Sequence, residues 1–144
     1  MAWVYKANLN VGRRGVAGAG TQTSALSFGG HDGTNYLSTT EAWNGTSWVS
    51  KNSLNTARVE LGGAGTQTAA LSFGGNQSSG YSAVTESFNG TSWTTNNNLN
   101  TARMALAGCG LQNAALSCGG NNGSYLGTTE LFNGTSWATK NNLN

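Results

Sequence analysis

The strongest constraint on this chain is that it repeats itself. Trp3, Trp48, Trp93 and Trp137 stand 45, 45 and 44 residues apart, and Arg13, Arg58 and Arg103 recur at 45. Glu41, Glu86 and Glu130 follow at 45 and 44, and the pairs Gly29-Gly30, Gly74-Gly75 and Gly119-Gly120 keep the 45-residue spacing. Residues 54–93 (LNTARVELGGAGTQTAALSFGGNQSSGYSAVTESFNGTSW) and 99–137 are the clearest copies, and residues 9–48 are a more divergent one. A unit this short cannot bury an apolar face alone, and periods of roughly 20 to 50 residues mark solenoids, propellers or arrays. The chain is therefore one repeat domain over 1–144, with units at 11–53, 54–98 and 99–144 after a leading segment 2–10.

Within a unit, four short segments alternate with turn signals. In the second, 59–66 is small and glycine-rich. Residues 69–73 put Leu71 and Phe73 on one face with Ala70 and Ser72 on the other, and 84–88 and 91–96 flank Asn89-Gly90. With 22 glycines, abundant Asn, Ser and Thr, and no proline, the composition suits short strands joined by tight turns and argues against long helices. Asn-Gly between strand-like runs signals a type I′ hairpin, and it occurs at Asn44-Gly45, Asn89-Gly90 and Asn133-Gly134. A two-residue turn there predicts Glu41 opposite Trp48, Glu86 opposite Trp93 and Glu130 opposite Trp137. Four antiparallel strands in each unit match a propeller blade. Lettered a to d from the axis outward, the Gly/Ala-rich a strands (GVAGAG, LGGAG, ALAGCG) suit the crowded centre. The expected fold is all-β, with three four-stranded antiparallel blades per chain.

An Arg ahead of strand a, a double glycine ending strand b, a Glu-x-aromatic on strand c (Glu41-Ala42-Trp43, Glu86-Ser87-Phe88, Glu130-Leu131-Phe132) and a Trp on strand d together resemble the kelch repeat. The likeness covers nearly the whole chain. More closely, the sequence is similar to kelch-like arrays of the NGTSW…NLNTAR type encoded by marine phages. That resemblance implies a kelch-like β-propeller, a role as a protein-interaction scaffold, and a phage particle as a setting.

The chain begins with a d-type segment, 2–10 (AWVYKANLN), and ends with another, 136–144 (SWATKNNLN), giving four d segments for three sets of a, b and c. Propellers carry roughly 4 to 8 blades, so three cannot close a ring. The chain is expected to assemble with itself or to be a piece of a longer array. Two chains making six blades is the favoured closure, and an open filament is the alternative.

Charge is scarce, at 8% of residues and a net +2, too little and too scattered for a nucleic-acid or membrane footprint. MAWVYKANLNVGRR lacks the apolar core of a secretory signal, and no run approaches the roughly 18 apolar residues of a membrane span. His31 is the single histidine and sits beside Asp32 in one unit only, short of a three-ligand metal set. Gly18-Ala19-Gly20 and Gly63-Ala64-Gly65 lack the third glycine and the strand-to-helix setting of a phosphate cradle. No enzyme signature, metal site or cofactor motif emerges. With one recurring Arg and one recurring Glu per unit, the economical reading is a buried or half-buried ion pair in each: Arg13 with Glu41, Arg58 with Glu86, Arg103 with Glu130. Trp48, Trp93 and Trp137 read as anchors before they read as ligand stacks. The turn explains Asn44, Asn89 and Asn133 without a sugar, although each satisfies N-x-T. Cys109 and Cys118 replace Ala64 and Phe73 in the third unit. A turn at Gln112-Asn113 sets Cys109 opposite Leu116 and makes Cys118 a diagonal neighbour about 7–8 Å away, so free core thiols are expected.

What varies between units is the b–c connection: HDGTNYLST, NQSSGYSAV and NNGSYLG. It lies on the same edge as the d–a connection and places Tyr beside small polar groups, a composition found at recognition surfaces. The candidate binding residues are His31, Asp32, Asn35 and Tyr36 in the first unit, Asn76, Gln77 and Tyr81 in the second, and Asn121, Asn122 and Tyr125 in the third. Two functions compete: a non-enzymatic structural or protein-recognition scaffold, and a carbohydrate-binding lectin using these loops.

Overall fold

Short alternating runs cut by glycine turns can pair only with their neighbours in sequence, and each unit accordingly forms an antiparallel meander. The structure, a computed structural model, describes residues 5–143. Its strands are β1 (Ala17–Thr21), β2 (Ser24–Phe28), β3 (Thr40–Trp43), β4 (Trp48–Lys51), β5 (Gly62–Gly65), β6 (Ala70–Phe73), β7 (Asn76–Gln77), β8 (Gly80–Tyr81), β9 (Thr85–Phe88), β10 (Trp93–Asn96), β11 (Ala107–Leu111), β12 (Ala114–Cys118), β13 (Thr129–Phe132) and β14 (Trp137–Lys140). They build three four-stranded sheets, β1-β2-β3-β4, β5-β6-β9-β10 and β11-β12-β13-β14, with β7 and β8 as a small separate hairpin.

The sheets stand side by side through their inner strands, β5 lying against β1 and against β11. Glycine makes this approach possible. A Cβ on Gly63 would fall 2.6 Å from the Gly18 carbonyl oxygen, and one on Gly108 would fall 2.5 Å from the Phe73 ring and 2.7 Å from the Gly63 oxygen. The core lies between sheets. Leu26 and Phe28 of the first meet Ala70, Phe88 and Trp93 of the second, and Leu71 and Phe73 meet Ala115, Phe132 and Trp137 of the third.

Each of these joints is also pinned by polar contacts. The Trp93 ring meets Phe28 edge-on at 4.9 Å, and its Nε1–H donates to Thr40 Oγ1 at 3.0 Å. Trp137 repeats this with Phe73 at 4.9 Å and Thr85 at 3.0 Å. Gln67, in the β5–β6 turn, donates Nε2 back to the carbonyls of Ala25 and Trp43, and Gln112 does so to Ala70 and Phe88. The tryptophans thus tie each sheet to the one before it. The first and third sheets leave one face each without a neighbouring sheet, and the described residues do not close a ring.

The outer hairpins differ from the expected register. Trp43 pairs with Trp48, Phe88 with Trp93 and Phe132 with Trp137, so Glu41 lies opposite Ser50 and not Trp48, Glu86 opposite Thr95 and not Trp93, and Glu130 opposite Thr139 and not Trp137. The turn holds four residues because the Asn side chain organises it: Asn44 Oδ1 accepts the N–H groups of Thr46 at 2.9 Å and Ser47 at 2.8 Å. Gly45 takes positive φ (93°) while Asn44 does not, which rules out type I′. The thiols are free, and Cys109 does pair with Leu116, but Cys109 is exposed and Cys118 half-buried, since both belong to the third sheet, whose outer face no other sheet covers among the described residues. Of the leading segment 2–10, residues 2–4, Trp3 among them, lie outside the described residues, and 5–10 join no sheet. The outer strand of the third sheet is β14, the chain's own C-terminal copy.

Candidate functional site

The b–c and d–a connections gather along one edge, joined by paired backbone bridges: Arg14 with His31, Val59 with Asn76, Met104 with Asn121. Beneath each lies an Arg–Glu pair. Arg58 and Glu86 are fully buried with Nη2 and Oε1 3.0 Å apart, Arg103 Nη1 lies 3.0 Å from Glu130 Oε1, and Arg13 pairs with Glu41. Arg58 also donates to the Gly74 and Val84 carbonyls at 2.7 Å and to Ser72 Oγ at 2.7 Å, while Glu86 accepts the backbone N–H of Asn55 at 2.6 Å. Glu41 and Glu130 accept from Asn10 and Asn100, both at 2.8 Å. Each pair therefore clamps a d–a connection onto the end of its sheet. Burial pushes the Arg58 guanidinium down to about 10 against the opposing pull of Glu86, and burial likewise lowers Arg103. Their side chains have no exposure to solvent, so the groups hold structure and are closed to a ligand.

Above the clamps, much of the loops' polar capacity is spent internally. Asp32 Oδ1 accepts from Thr34 N–H at 2.8 Å and Asn35 N–H at 2.7 Å, which lowers its pKa from the usual 3.8. His31 Nδ1 accepts from Gly33 at 2.9 Å, and its ring meets Tyr36 edge-on at 5.3 Å. In the second unit Asn76 pairs with Tyr81 and Gln77 with Gly80 in the β7–β8 hairpin. In the third, Asn121 Oδ1 accepts from Gly123 at 2.9 Å. Of the candidate residues, those that reach solvent are Tyr125 at 96% exposure and Tyr81 at 42%, with Asp32, Asn35 and Asn122 also exposed. The loops share an edge but present separate small surfaces. Among the described residues, no three His, Cys, Asp or Glu come together as a metal site.

Two open hollows lie elsewhere, on the uncovered face of the first sheet. One of about 470 Å³ is bordered by Leu9, Val16, Gly18 and Trp48, and one of about 260 Å³ by Lys6, Ala7, Gln22, Trp43 and Trp48. Sequence reasoning passed over Gln22, Gln67 and Gln112 and over Thr40, Thr85 and Thr129. Both sets keep the repeat spacing, and that spacing was the available signal. No helix among the described residues is long and apolar enough to cross a membrane, which does not bear on a β-barrel. Comparison with protein-family models and with curated proteins found no match to this chain.

Proposed function

We propose that the chain is a kelch-like propeller scaffold, closed by self-association into six blades from two chains, that serves as a non-enzymatic recognition module with a phage particle as its setting. The observation that carries this reading is the division of labour within each unit. The side chains of the charged pairs and the rings of Trp43, Trp93 and Trp137 are buried in the frame, whereas the variable b–c loops are gathered at one edge. A rigid repeated frame that presents variable loops suits binding better than chemistry. Sedimentation of the intact protein should give a species of two 14.8 kDa chains. A single chain or a long polymer would overturn six-bladed closure.

One observation favours a lectin as the second reading. Tyr125 and Tyr81 reach solvent and pair across the backbone with Asn121 and Asn76, which sets an aromatic platform against amides able to hold sugar hydroxyls. A glycan array separates the two. Saturable glycan binding lost in Tyr125→Ala and Tyr81→Ala supports the lectin, and its absence alongside capture of a protein ligand supports the scaffold.

A further inference from the structure

The two joints inside the chain use one set of contacts, and each half of that set occurs once more at an open face. On the first sheet the donating half is present and unused: Trp48 is half-buried where Trp93 and Trp137 are buried, and Gln22 is exposed where Gln67 and Gln112 reach across. On the third sheet the receiving half is present and uncovered. Thr129 is half-buried where Thr40 and Thr85 are fully buried by a tryptophan, and Ala115 and Phe132 stand at the positions of Ala25 and Trp43, whose carbonyls Gln67 engages.

We propose that the first sheet of one copy docks on the third sheet of a second copy, with Trp48 seated beside Cys118, its Nε1–H donated to Thr129 Oγ1, and Gln22 bridging the carbonyls of Ala115 and Phe132. This rests on the self-association in the function proposed above and names its joint.

Three further observations support it. Gly63 and Gly108 are glycines because the adjoining sheet leaves no room for a Cβ, yet Gly18, at the same repeat position, meets only the Leu26 oxygen of its own sheet, at 3.3 Å. A neighbour seated there gives that glycine the reason the other two have. The aromatic frame is also altered on both sides of this one joint. Cys118 replaces the Phe28 and Phe73 that meet a tryptophan, and Trp43 replaces the Phe88 and Phe132 that back it. A smaller residue on one copy is thus opposed by a larger one on the other, which keeps the packed volume. Finally, a backbone ladder crosses the sheets, Glu60 N–H to Gly15 O at 2.7 Å and Ala105 N–H to Glu60 O at 2.8 Å, and docking extends it from the Gly15 N–H of the docking copy to the Ala105 carbonyl of the second copy.

In the single chain, Lys6, Ala7 and Leu9 border the hollows beside Trp48 on the docking face. Leu143 already donates to the Gly127 carbonyl at 2.8 Å, as Leu54 and Leu99 do at their joints with Ser38 and Ala83. Leu9 holds the same repeat position, so docking displaces residues 5–9 of the incoming copy.

The test uses two full-length variants and sedimentation. Trp48→Ala with Gln22→Ala disables the donating face, and Thr129→Arg disables the receiving face. Each alone should lose the two-chain species, because every joint then contains one disabled face. Mixed one to one, they should regain a two-chain species holding one of each, since one joint in it is intact; this recovery also shows that both variants fold. An intact protein that forms pairs while both variants still pair unaided would overturn this joint and leave six-bladed closure standing. Variants that fall apart and do not recover on mixing would overturn it as well. Polymers of the intact chain that either variant dissolves would support the joint and overturn closure at six blades, and a single-chain intact protein would overturn both.

Discussion

Arg58 and Glu86 show at the scale of single residues how a weakly charged chain uses the charges it has. Both side chains are fully removed from solvent, and the carboxylate is shared between the guanidinium and the N–H of Asn55. Arg58→Ala would strand Glu86 in the interior and should cost about 3–5 kcal/mol, whereas exposed Lys51→Ala should cost under about 0.5 kcal/mol. Equal midpoints in denaturant unfolding would refute the clamp. Asp32 gives a different reading. Its folded pKa lies below the ordinary 3.8 because Asn35 and Thr34 donate to it. A depressed carboxylate supports the fold above its unfolded pKa and loses that support as pH falls through the folded value. NMR titration should therefore place the Asp32 midpoint below 3.8, with the Thr34 and Asn35 amides shifting in step. A midpoint at or above that value would mean the loop is not capped as described.

At the scale of elements, the four-residue turn decides how each outer strand is read. The Asn side chain accepts two N–H groups at 3.0 and 2.9 Å in the Asn89 copy, closing the loop without help from the rest of the sheet. Asn89→Ala should destabilise by on the order of 1 kcal/mol and fray the Phe88–Trp93 end of the hairpin first. Hydrogen exchange at Trp93 and Thr94 reports this, and unchanged protection would refute it. Asn-Gly correctly announced a hairpin at all three sites. Its length was not legible, because an Asn-Gly pair serves both the two-residue turn and the longer loop, and the Thr-Ser that follows, Thr91-Ser92 in this copy, was read as strand.

For the whole molecule, stability resides in the joints. Trp93 is buried against Phe28 and Phe88 and bonded to Thr40, so it belongs to two sheets at once. Trp93→Ala should cost about 3–5 kcal/mol and loosen the first sheet from the second. A calorimetric transition as sharp and as high as that of the intact chain would contradict this. The sequence by itself determined the period, the all-β meander, the recurring Arg and recurring Glu of each unit and the glycine-rich inner strands, because each is a local pattern read against strand geometry or a residue that keeps the repeat spacing. Only the tertiary structure decided which sheet each tryptophan serves, that Gln67 and Gln112 bridge sheets, that Cys109 is exposed, and that the loops keep most of their polar groups for themselves. Those outcomes depend on which faces meet across units, and a repeat spacing constrains that meeting without specifying its contacts.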